Sequence, residues 1–220
     1  MISCDAAPGL TPQDQSAPPP RQITFLALGD SYTIGEAVAA DQSWPSQLAE
    51  ALPAGGIEVT DLRVVARTGW TTTDLITVAA KGQNRFEYDL VTLLIGVNNQ
   101  FQGLPFEMFE KEFAELLDMA INYAAGDTSH VVAVSIPDYG VTPSGALRGA
   151  ERIRREIDLY NNRGREIAEG YGIPYVDITT ISRLAADDST LVAIDNLHFS
   201  GKMYALWVER LLPVVIDAVR

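Results

Sequence analysis

The 220-residue chain is acidic, with 16 Lys and Arg residues against 29 Asp and Glu residues and a formal charge of −13. A polyanion would meet a repulsive average field, and no basic run creates a local exception, so nucleic acid is not an expected partner. The hydrophobic fraction of 47% and the charged fraction of 20% are typical of a water-soluble globular protein. No apolar run approaches the roughly 18 residues of a membrane span. A chain of this length suits one α/β domain with a single core.

The first 22 residues differ in composition from the rest of the chain. Four of the twelve prolines lie within Pro12–Pro20, and large apolar residues are few, which predicts a flexible arm over residues 1–22 and a folded domain over 23–220.

Cys4 is the single cysteine, so no intrachain disulfide or cysteine metal cluster is expected, and the two histidines are too far apart to suggest a local metal motif. Met1-Ile-Ser-Cys4 resembles the end of a bacterial lipoprotein signal, which predicts lipidation of Cys4 and a periplasmic, membrane-anchored or secreted protein. The charged and apolar regions of a signal peptide are absent, and an ordinary cytoplasmic N-terminus stays an alternative.

From Ile23 onward, short apolar runs alternate with longer amphipathic ones. Predicted strands are Ile23–Leu28, Val59–Ala66, Leu90–Ile95, His130–Ile136 and Pro174–Ile178, and predicted helices are Trp44–Leu52, Thr72–Ala80, Pro105–Ala124, Gly149–Tyr171 and Lys202–Val219. The strand runs are nearly continuous, as expected of strands buried on both faces. Their alternation with helices predicts parallel βαβ units.

A serine stands where the first strand breaks into a turn, at Gly29-Asp30-Ser31, and Asp195-Asn-Leu-His198 lies near the other end of the chain. A serine hydroxyl needs an imidazole to take its proton and a carboxylate to orient that imidazole, and these residues supply all three groups. The other histidine, His130, opens a predicted apolar strand and is interpreted as structural. Taken singly, Asp30 and Ser31 could instead be helix-capping residues, and Asp195 and His198 ordinary loop residues.

Polar segments follow four successive predicted strands: Ser31, Thr68–Trp70, Gly96–Asn99 and Pro137–Tyr139. In an open parallel sheet, ligands collect beyond the carboxyl ends of the strands, so these segments should share one edge. There the backbone N–H of Gly69 and the side-chain amide of Asn98 could donate to a developing oxyanion. Each could also be only a turn residue.

Taken together, these blocks resemble the SGNH hydrolases, also called GDSL-type esterases and lipases. Gly29-Asp30-Ser31 is similar to the nucleophile block, Gly69 to the lone-glycine block, Gly96–Asn99 to the asparagine block and Asp195-Asn-Leu-His198 to the closing block. The resemblance extends from about Ile23 to Val215. Two positions depart from the pattern: Tyr32 stands where the family name implies leucine, and Asn99 stands in place of the usual aspartate.

The resemblance implies a three-layer α/β/α sandwich around a five-stranded parallel sheet, akin to the flavodoxin-like arrangement. It also implies a serine esterase without a cofactor or metal. Ser31 would be the nucleophile, His198 the base and Asp195 the group that orients it, while the N–H groups of Ser31 and Gly69 and the amide of Asn98 would form the oxyanion hole.

The resemblance also implies a small-molecule ester as the substrate, and candidate pocket residues are Tyr32, Trp70, Phe101 and Tyr139. No long apolar insertion resembling a lid borders the site, which predicts a preference for short acyl groups. Alternatives are a carbohydrate O-deacetylase, a lysophospholipase or thioesterase, and a catalytically silent carbohydrate-binding module on the same fold. A nucleotide-binding role is disfavoured because neither a Walker loop nor Gly-x-Gly-x-x-Gly occurs.

Overall fold

The computed structural model describes residues 19–81 and 87–220, which alternate strands with helices. The strands are β1 (Arg21–Asp30), β2 (Ile57–Arg67), β3 (Leu90–Leu94), β4 (Val131–Val134) and β5 (Tyr175–Val176). The helices are α1 (Ser31–Ile34), α2 (Trp44–Ala51), α3 (Thr72–Ala79), α4 (Val97–Phe101), α5 (Phe106–Tyr123), α6 (Pro143–Ala146), α7 (Ala150–Gly170), α8 (Thr179–Ser182) and α9 (Gly201–Ala218). Cys4 and most of the predicted arm lie outside the described residues.

The five strands form one parallel sheet in the order β2-β1-β3-β4-β5. Helices α3, α5 and α7 pack against one another on one face, and α2 packs against α9 on the other. This arrangement confirms the predicted three-layer α/β/α sandwich around a five-stranded parallel sheet.

The first strand begins earlier than the hydrophobic pattern predicts. β1 starts at Arg21, whose backbone N–H donates to the carbonyl of Gly56 at 2.9 Å, and this is two residues before the predicted start of the strand at Ile23. Arg21 and Gln22 are polar and exposed, and they join the sheet through backbone pairing with β2. A search for apolar runs does not detect such residues.

The prediction that every strand is buried on both faces is wrong for β2. β2 is an edge strand, and Ile57 is its single fully buried residue. The register between β1 and β2 also shifts where Ile23 pairs with Val59 and Thr24 pairs with Asp61, which leaves Thr60 as an extra residue. Such a bulge interrupts the alternation of inward and outward side chains.

The predicted apolar stripe lies on α5, which packs between α3 and α7 and contacts β3. Phe109, Phe113, Leu116, Leu117 and Ala120 are all buried, as their helical spacing predicts. Among the described helices, none combines the length and apolar character that crossing a membrane requires.

Burial on these helices sets the cost of removing a leucine side chain. Leu116 on α5 is 0% exposed, whereas Leu159 on α7 is 51% exposed. We expect Leu116→Ala to lower the free energy of unfolding by about 2–5 kcal/mol, since it leaves a cavity. Leu159→Ala is the matched control and should change it by about 0.5 kcal/mol or less. Urea unfolding of both variants measures the difference, and equal losses would contradict the assignment of α5 as the core helix.

Candidate active site

Ser31 is the first residue of α1 and directly follows β1. Asp30 caps this helix, because its Oδ1 accepts a hydrogen bond from the backbone N–H of Tyr32 at 3.0 Å. At Gly29, a Cβ atom would lie 2.0 Å from Thr33 Oγ1 and 2.6 Å from the carbonyl oxygen of Leu94. Glycine is therefore required for the strand to turn into α1 at this point, and the turn presents Ser31 at the edge of the sheet.

Asp195 and His198 form a compact unit in the loop before α9. The Nδ1 atom of His198 lies 2.5 Å from Oδ2 of Asp195. Oδ1 of Asp195 accepts the backbone N–H groups of Leu197 at 3.0 Å and His198 at 2.9 Å. Because a carboxylate only accepts hydrogen bonds, Nδ1 carries the proton, and Nε2 of the neutral ring is left as an acceptor.

The same hydrogen bonds keep the Asp195 carboxylate ionised. Partial burial raises the pKa of Asp195, but the hydrogen bonds from the His198 ring and from the N–H groups of Leu197 and His198 outweigh it, so the pKa lies below its usual value. An ionised carboxylate at Oδ2 stabilises the charged form of the imidazole.

Tyr32 packs behind the imidazole. Its ring centroid lies 5.2 Å from that of His198 and 5.8 Å from that of Phe199, and the Tyr32 side chain is buried. A tyrosine at this position, where the family name implies leucine, thus forms part of the core that supports the His198 ring.

Gly69 and Asn98 are the predicted oxyanion donors that follow β2 and β3. Gly69 has a positive φ of 82°, in the left-handed region that favours glycine, and apart from its chain neighbours Thr68 and Trp70 no described residue has an atom within 4 Å of where its Cβ would be. The Asn98 amide donates to the carbonyl oxygen of Trp70 at 2.9 Å. An amide carries two N–H bonds, so the second remains for a ligand.

Asn99, the second departure from the family pattern, does not contact the cavity. It is fully buried and bonds to Thr72 twice: its Oδ1 accepts the Thr72 N–H at 3.0 Å, and its Nδ2 donates to Thr72 Oγ1 at 2.6 Å. Asn99 therefore fastens α4 to the start of α3.

One cavity of about 160 Å³ brings the predicted groups together. Its lining residues are Ser31, Tyr32, Thr68, Gly69, Val97, Asn98, Phe101, Tyr139, Leu197 and His198. The four segments that follow β1, β2, β3 and β4 thus meet at one edge of the sheet, and the loop before α9 closes the site.

Trp70 and His130 lie outside this cavity. Trp70 was a candidate pocket residue, but it does not line the cavity, and its side chain is partly buried against the hydrophobic core. His130 ends a short turn before β4, at the opposite end of that strand from the cavity. Val97 and Leu197 do line it, although sequence reasoning missed them. Their positions beside Asn98 and His198 were the available signal.

Asp30 is fully buried beneath this site. Its Oδ2 atom is buried and has no hydrogen-bond partner within the described part of the chain. Burial raises the pKa of Asp30 to about 7, and the hydrogen bond from the Tyr32 N–H lowers it only in part. Among the described residues, no group of three or more His, Cys, Asp or Glu side chains could hold a metal ion.

Comparison with known proteins assigns the class. The model of the GDSL-like lipase/acylhydrolase family matches residues 27–206, so the chain belongs to this family, as the motif resemblance predicts. An arylesterase from Vibrio mimicus is 27% identical over 116 residues, which are 53% of this chain and 57% of that protein. The match thus spans little more than half the length of this relative. The family that matches comprises GDSL-like lipases and acylhydrolases.

Solved structures share the fold at low sequence identity. The crystal structure of TesA has a TM-score of 0.69 at 16% identity and covers 87% of this chain and 97% of its own. The esterase EstA from Pseudoalteromonas sp., inhibited by monoethylphosphonate, has a TM-score of 0.66 at 18% identity, with coverage of 87% and 96%. A variant of Axe2, an acetyl-xylooligosaccharide esterase from Geobacillus, has a TM-score of 0.64 at 18% identity, with coverage of 90% and 95%.

The buried carboxyl group of Asp30 should make stability depend on pH. The unfolded pKa of an aspartate is about 4, so between about pH 4 and 7 the native state binds more protons than the unfolded state, and the free energy of unfolding falls as pH rises. A pKa of about 7 corresponds to a loss of up to roughly 4 kcal/mol across this window. Asp30→Asn has no titrating group at this position, so we expect the variant to gain stability over the wild type as pH increases.

Urea unfolding of both proteins at intervals from pH 4 to 8 measures this difference. Asp41→Asn, which removes an exposed carboxylate, is the control for loss of one negative charge. A stability difference between Asp30→Asn and wild type that stays constant over the whole range would contradict the raised pKa.

Proposed function

We propose that the chain is a serine esterase that hydrolyses short-chain carboxylic esters through an acyl-enzyme intermediate. The observation that carries the proposal is the cavity lined by Ser31, Gly69, Asn98 and His198. Oδ2 of Asp195 lies 2.5 Å from Nδ1 of this histidine. A nucleophile, a base, an orienting carboxylate and oxyanion donors around one cavity are the parts that ester hydrolysis requires.

In the first half-reaction, Oγ of Ser31 attacks the ester carbonyl carbon while Nε2 of His198 takes the hydroxyl proton. Asp195 orients the ring and stabilises the imidazolium through Nδ1. The bond between the carbonyl carbon and the alcohol oxygen then breaks, and the imidazolium returns the proton to that oxygen. The alcohol leaves, and the acyl group stays on Ser31.

Charge develops on the carbonyl oxygen during both additions. The backbone N–H groups of Ser31 and Gly69 and the free N–H of the Asn98 amide donate to this oxygen. The negative charge on this oxygen is larger in the transition state than in the ground state, so the donors stabilise the transition state more. Donors that are already in place need no reorganisation when the charge forms.

In the second half-reaction, His198 takes a proton from water, and the water oxygen attacks the acyl carbon. The bond to Ser31 Oγ breaks, the imidazolium returns its proton to Oγ, and the carboxylic acid leaves. These steps consume one water and restore the enzyme, and each proton moves through Nε2 of His198.

The size of the cavity supports a short acyl group. A cavity of about 150 Å³ in another protein holds one benzene molecule, with six carbon atoms. The cavity beside Ser31, about 160 Å³, is of similar size, and Val97, Phe101 and Leu197 supply apolar walls. Acetyl to hexanoyl groups fit such a volume, whereas the long acyl chains of a lysophospholipid would extend beyond it.

The volume constrains the acyl group and leaves the alcohol undetermined. An aryl acetate, as the Vibrio mimicus arylesterase suggests, and an acetylated sugar, as the Axe2 name suggests, would place the same acetyl group in the cavity. Aryl acetates and acetylated oligosaccharides, assayed side by side, separate the two. A silent binding module would hydrolyse neither.

Replacement of Ser31 should remove the activity and leave the fold intact. Ser31→Ala deletes the attacking oxygen, and we expect kcat/KM to fall by at least about 10⁴-fold with an unchanged circular dichroism spectrum. His198→Ala should have a comparable effect, whereas His130→Ala, at the opposite end of β4, should retain the activity. A fluorophosphonate probe should label Ser31, and labelling of another serine or equal damage at both histidines would refute the assignment.

Acyl-chain length is the second test of this function. Each methylene buried in a long groove would contribute about 0.8 kcal/mol, or about fourfold in kcat/KM. In a cavity of this size we expect kcat/KM to rise from acetyl to about butyryl or hexanoyl and then to fall. Aryl esters below their critical micelle concentration provide the series. A maximum at dodecanoyl or beyond would contradict the short-chain preference and leave the role of Ser31 unaffected.

A further inference from the structure

Three side chains form hydrogen bonds to the segment that carries Gly69, two of them from α4 and one from Gln102 at its C-terminal end. The bonds join the Asn98 amide to the Trp70 carbonyl at 2.9 Å, Asn99 to Thr72 at 2.6 and 3.0 Å, and the Gln102 amide to the Gly69 carbonyl at 3.1 Å. Gly69 and Asn98 are the proposed oxyanion donors. Their separation therefore depends on how α4 is held against this segment.

The central bond pair fixes the orientation of the Asn99 amide. The backbone N–H of Thr72 can only donate, so the atom of Asn99 facing it is the oxygen Oδ1. The nitrogen Nδ2 then faces Thr72 Oγ1 and donates to it. Because the Thr72 oxygen already accepts this bond, its own hydroxyl proton is free to point elsewhere.

That proton points to a carboxylate on α5. Thr72 Oγ1 donates to Oε2 of Glu112, and the neighbouring Thr73 hydroxyl donates to the same carboxylate, 2.8 Å from Oε1 and 2.9 Å from Oε2. The hydrogen bonds thus run in one direction, from the Asn99 amide through the Thr72 hydroxyl to the Glu112 carboxylate.

An aspartate, the residue usual at position 99 in the family, conflicts with this direction. Asn99 and Thr72 are both fully buried. A second carboxylate there would be separated from Glu112 by one hydroxyl group, which has one proton for two acceptors. Burying an unpaired carboxylate oxygen beside another negative charge is unfavourable. The amide of Asn99 and the carboxylate of Glu112 are therefore complementary, as donor to and acceptor from the Thr72 hydroxyl.

We propose that Asn99, Thr72 and Glu112 form a directional hydrogen-bond relay that positions Gly69 and Asn98 for catalysis. The inference rests on the proposed function of these two donors. The three residues are positioning residues, since none of them lines the cavity. Disturbing the relay should act on the transition state, where the donors are needed, more than on substrate binding.

The relay can be broken and then rebuilt in reverse. In Asn99→Asp, the carboxylates at positions 99 and 112 both face Thr72 Oγ1, whose hydroxyl has one proton to donate. We expect kcat to fall about 10- to 100-fold with KM within about twofold of wild type. In Asn99→Asp combined with Glu112→Gln, the glutamine amide can donate to Thr72 Oγ1, and the Thr72 hydroxyl can donate to the carboxylate introduced on α4. We expect the double variant to recover kcat to within about threefold of wild type.

Four further variants complete the test, and three of them are controls. Glu112→Gln alone keeps an oxygen that accepts from Thr72 and should retain kcat within about threefold. Thr72→Ser keeps the hydroxyl and should also remain active, whereas Thr72→Val removes the hydroxyl at constant volume and should lower kcat as Asn99→Asp does. Thr77→Val removes a hydroxyl of the same helix, which within residues 19–81 and 87–220 bonds only to the Thr73 carbonyl, and this variant should have no effect.

Steady-state kinetics and urea unfolding of wild type, both single variants and the double variant give the coupling between positions 99 and 112. A positive coupling in unfolding free energy, together with rescue of kcat, supports the relay. Wild-type kcat in both Asn99→Asp and Thr72→Val, or a double variant no better than Asn99→Asp, overturns it. A wild type without Ser31-dependent turnover would instead refute the proposed function, and the unfolding data would still test the relay.

Discussion

The parallel register of β1 with both of its neighbours is the constraint on which the site depends. Gly29 in β1 pairs with Ala66 in β2 and with Leu94 in β3. Two residues beyond these paired positions, the chain reaches Ser31, Thr68 and Gly96, so three turns begin at the same level of the sheet. Hydrogen bonds between strands, remote from any substrate, thereby set the distance between the candidate nucleophile and the segments that carry Gly69 and Asn98.

The candidate base is held by a different means. His198 does not follow a strand of the sheet; its loop is closed by an antiparallel bridge between Val192 and Phe199 and by the hydrogen bond from the Ala193 N–H to the His198 carbonyl at 2.8 Å. Asp195 then fixes the ring from within the same turn. The two arrangements meet where the Tyr32 ring, in α1, packs against the ring of His198. Packing around Tyr32 therefore connects the sheet to the loop that carries His198.

Much of this could be predicted from sequence because the relevant signals are local or repeat along the chain. Apolar runs and their alternation with amphipathic segments give the strands, helices and layers, and the parallel sheet follows from that alternation. The exposure of β2 could not be predicted, since it depends on strand order. The partial burial of Trp70 and the bonds of Asn99 to Thr72 depend on how α3 and α4 pack, which leaves no pattern in either segment. Leu197 carries no reactive group, and it occupies a position between Asp195 and His198 that the motif leaves unspecified.

β2 also has a consequence for the behaviour of the protein at high concentration. Its outer edge offers backbone groups to a strand of another molecule, and Val64 is 38% exposed there. Glu58, Asp61, Arg63 and Arg67 are exposed along the same strand. An added strand would have to bury or displace these charges, which natural sheets use to discourage edge-to-edge pairing. The mixed charge of this strand thus disfavours self-association, and neutral residues at these positions would favour aggregation through this edge of the sheet.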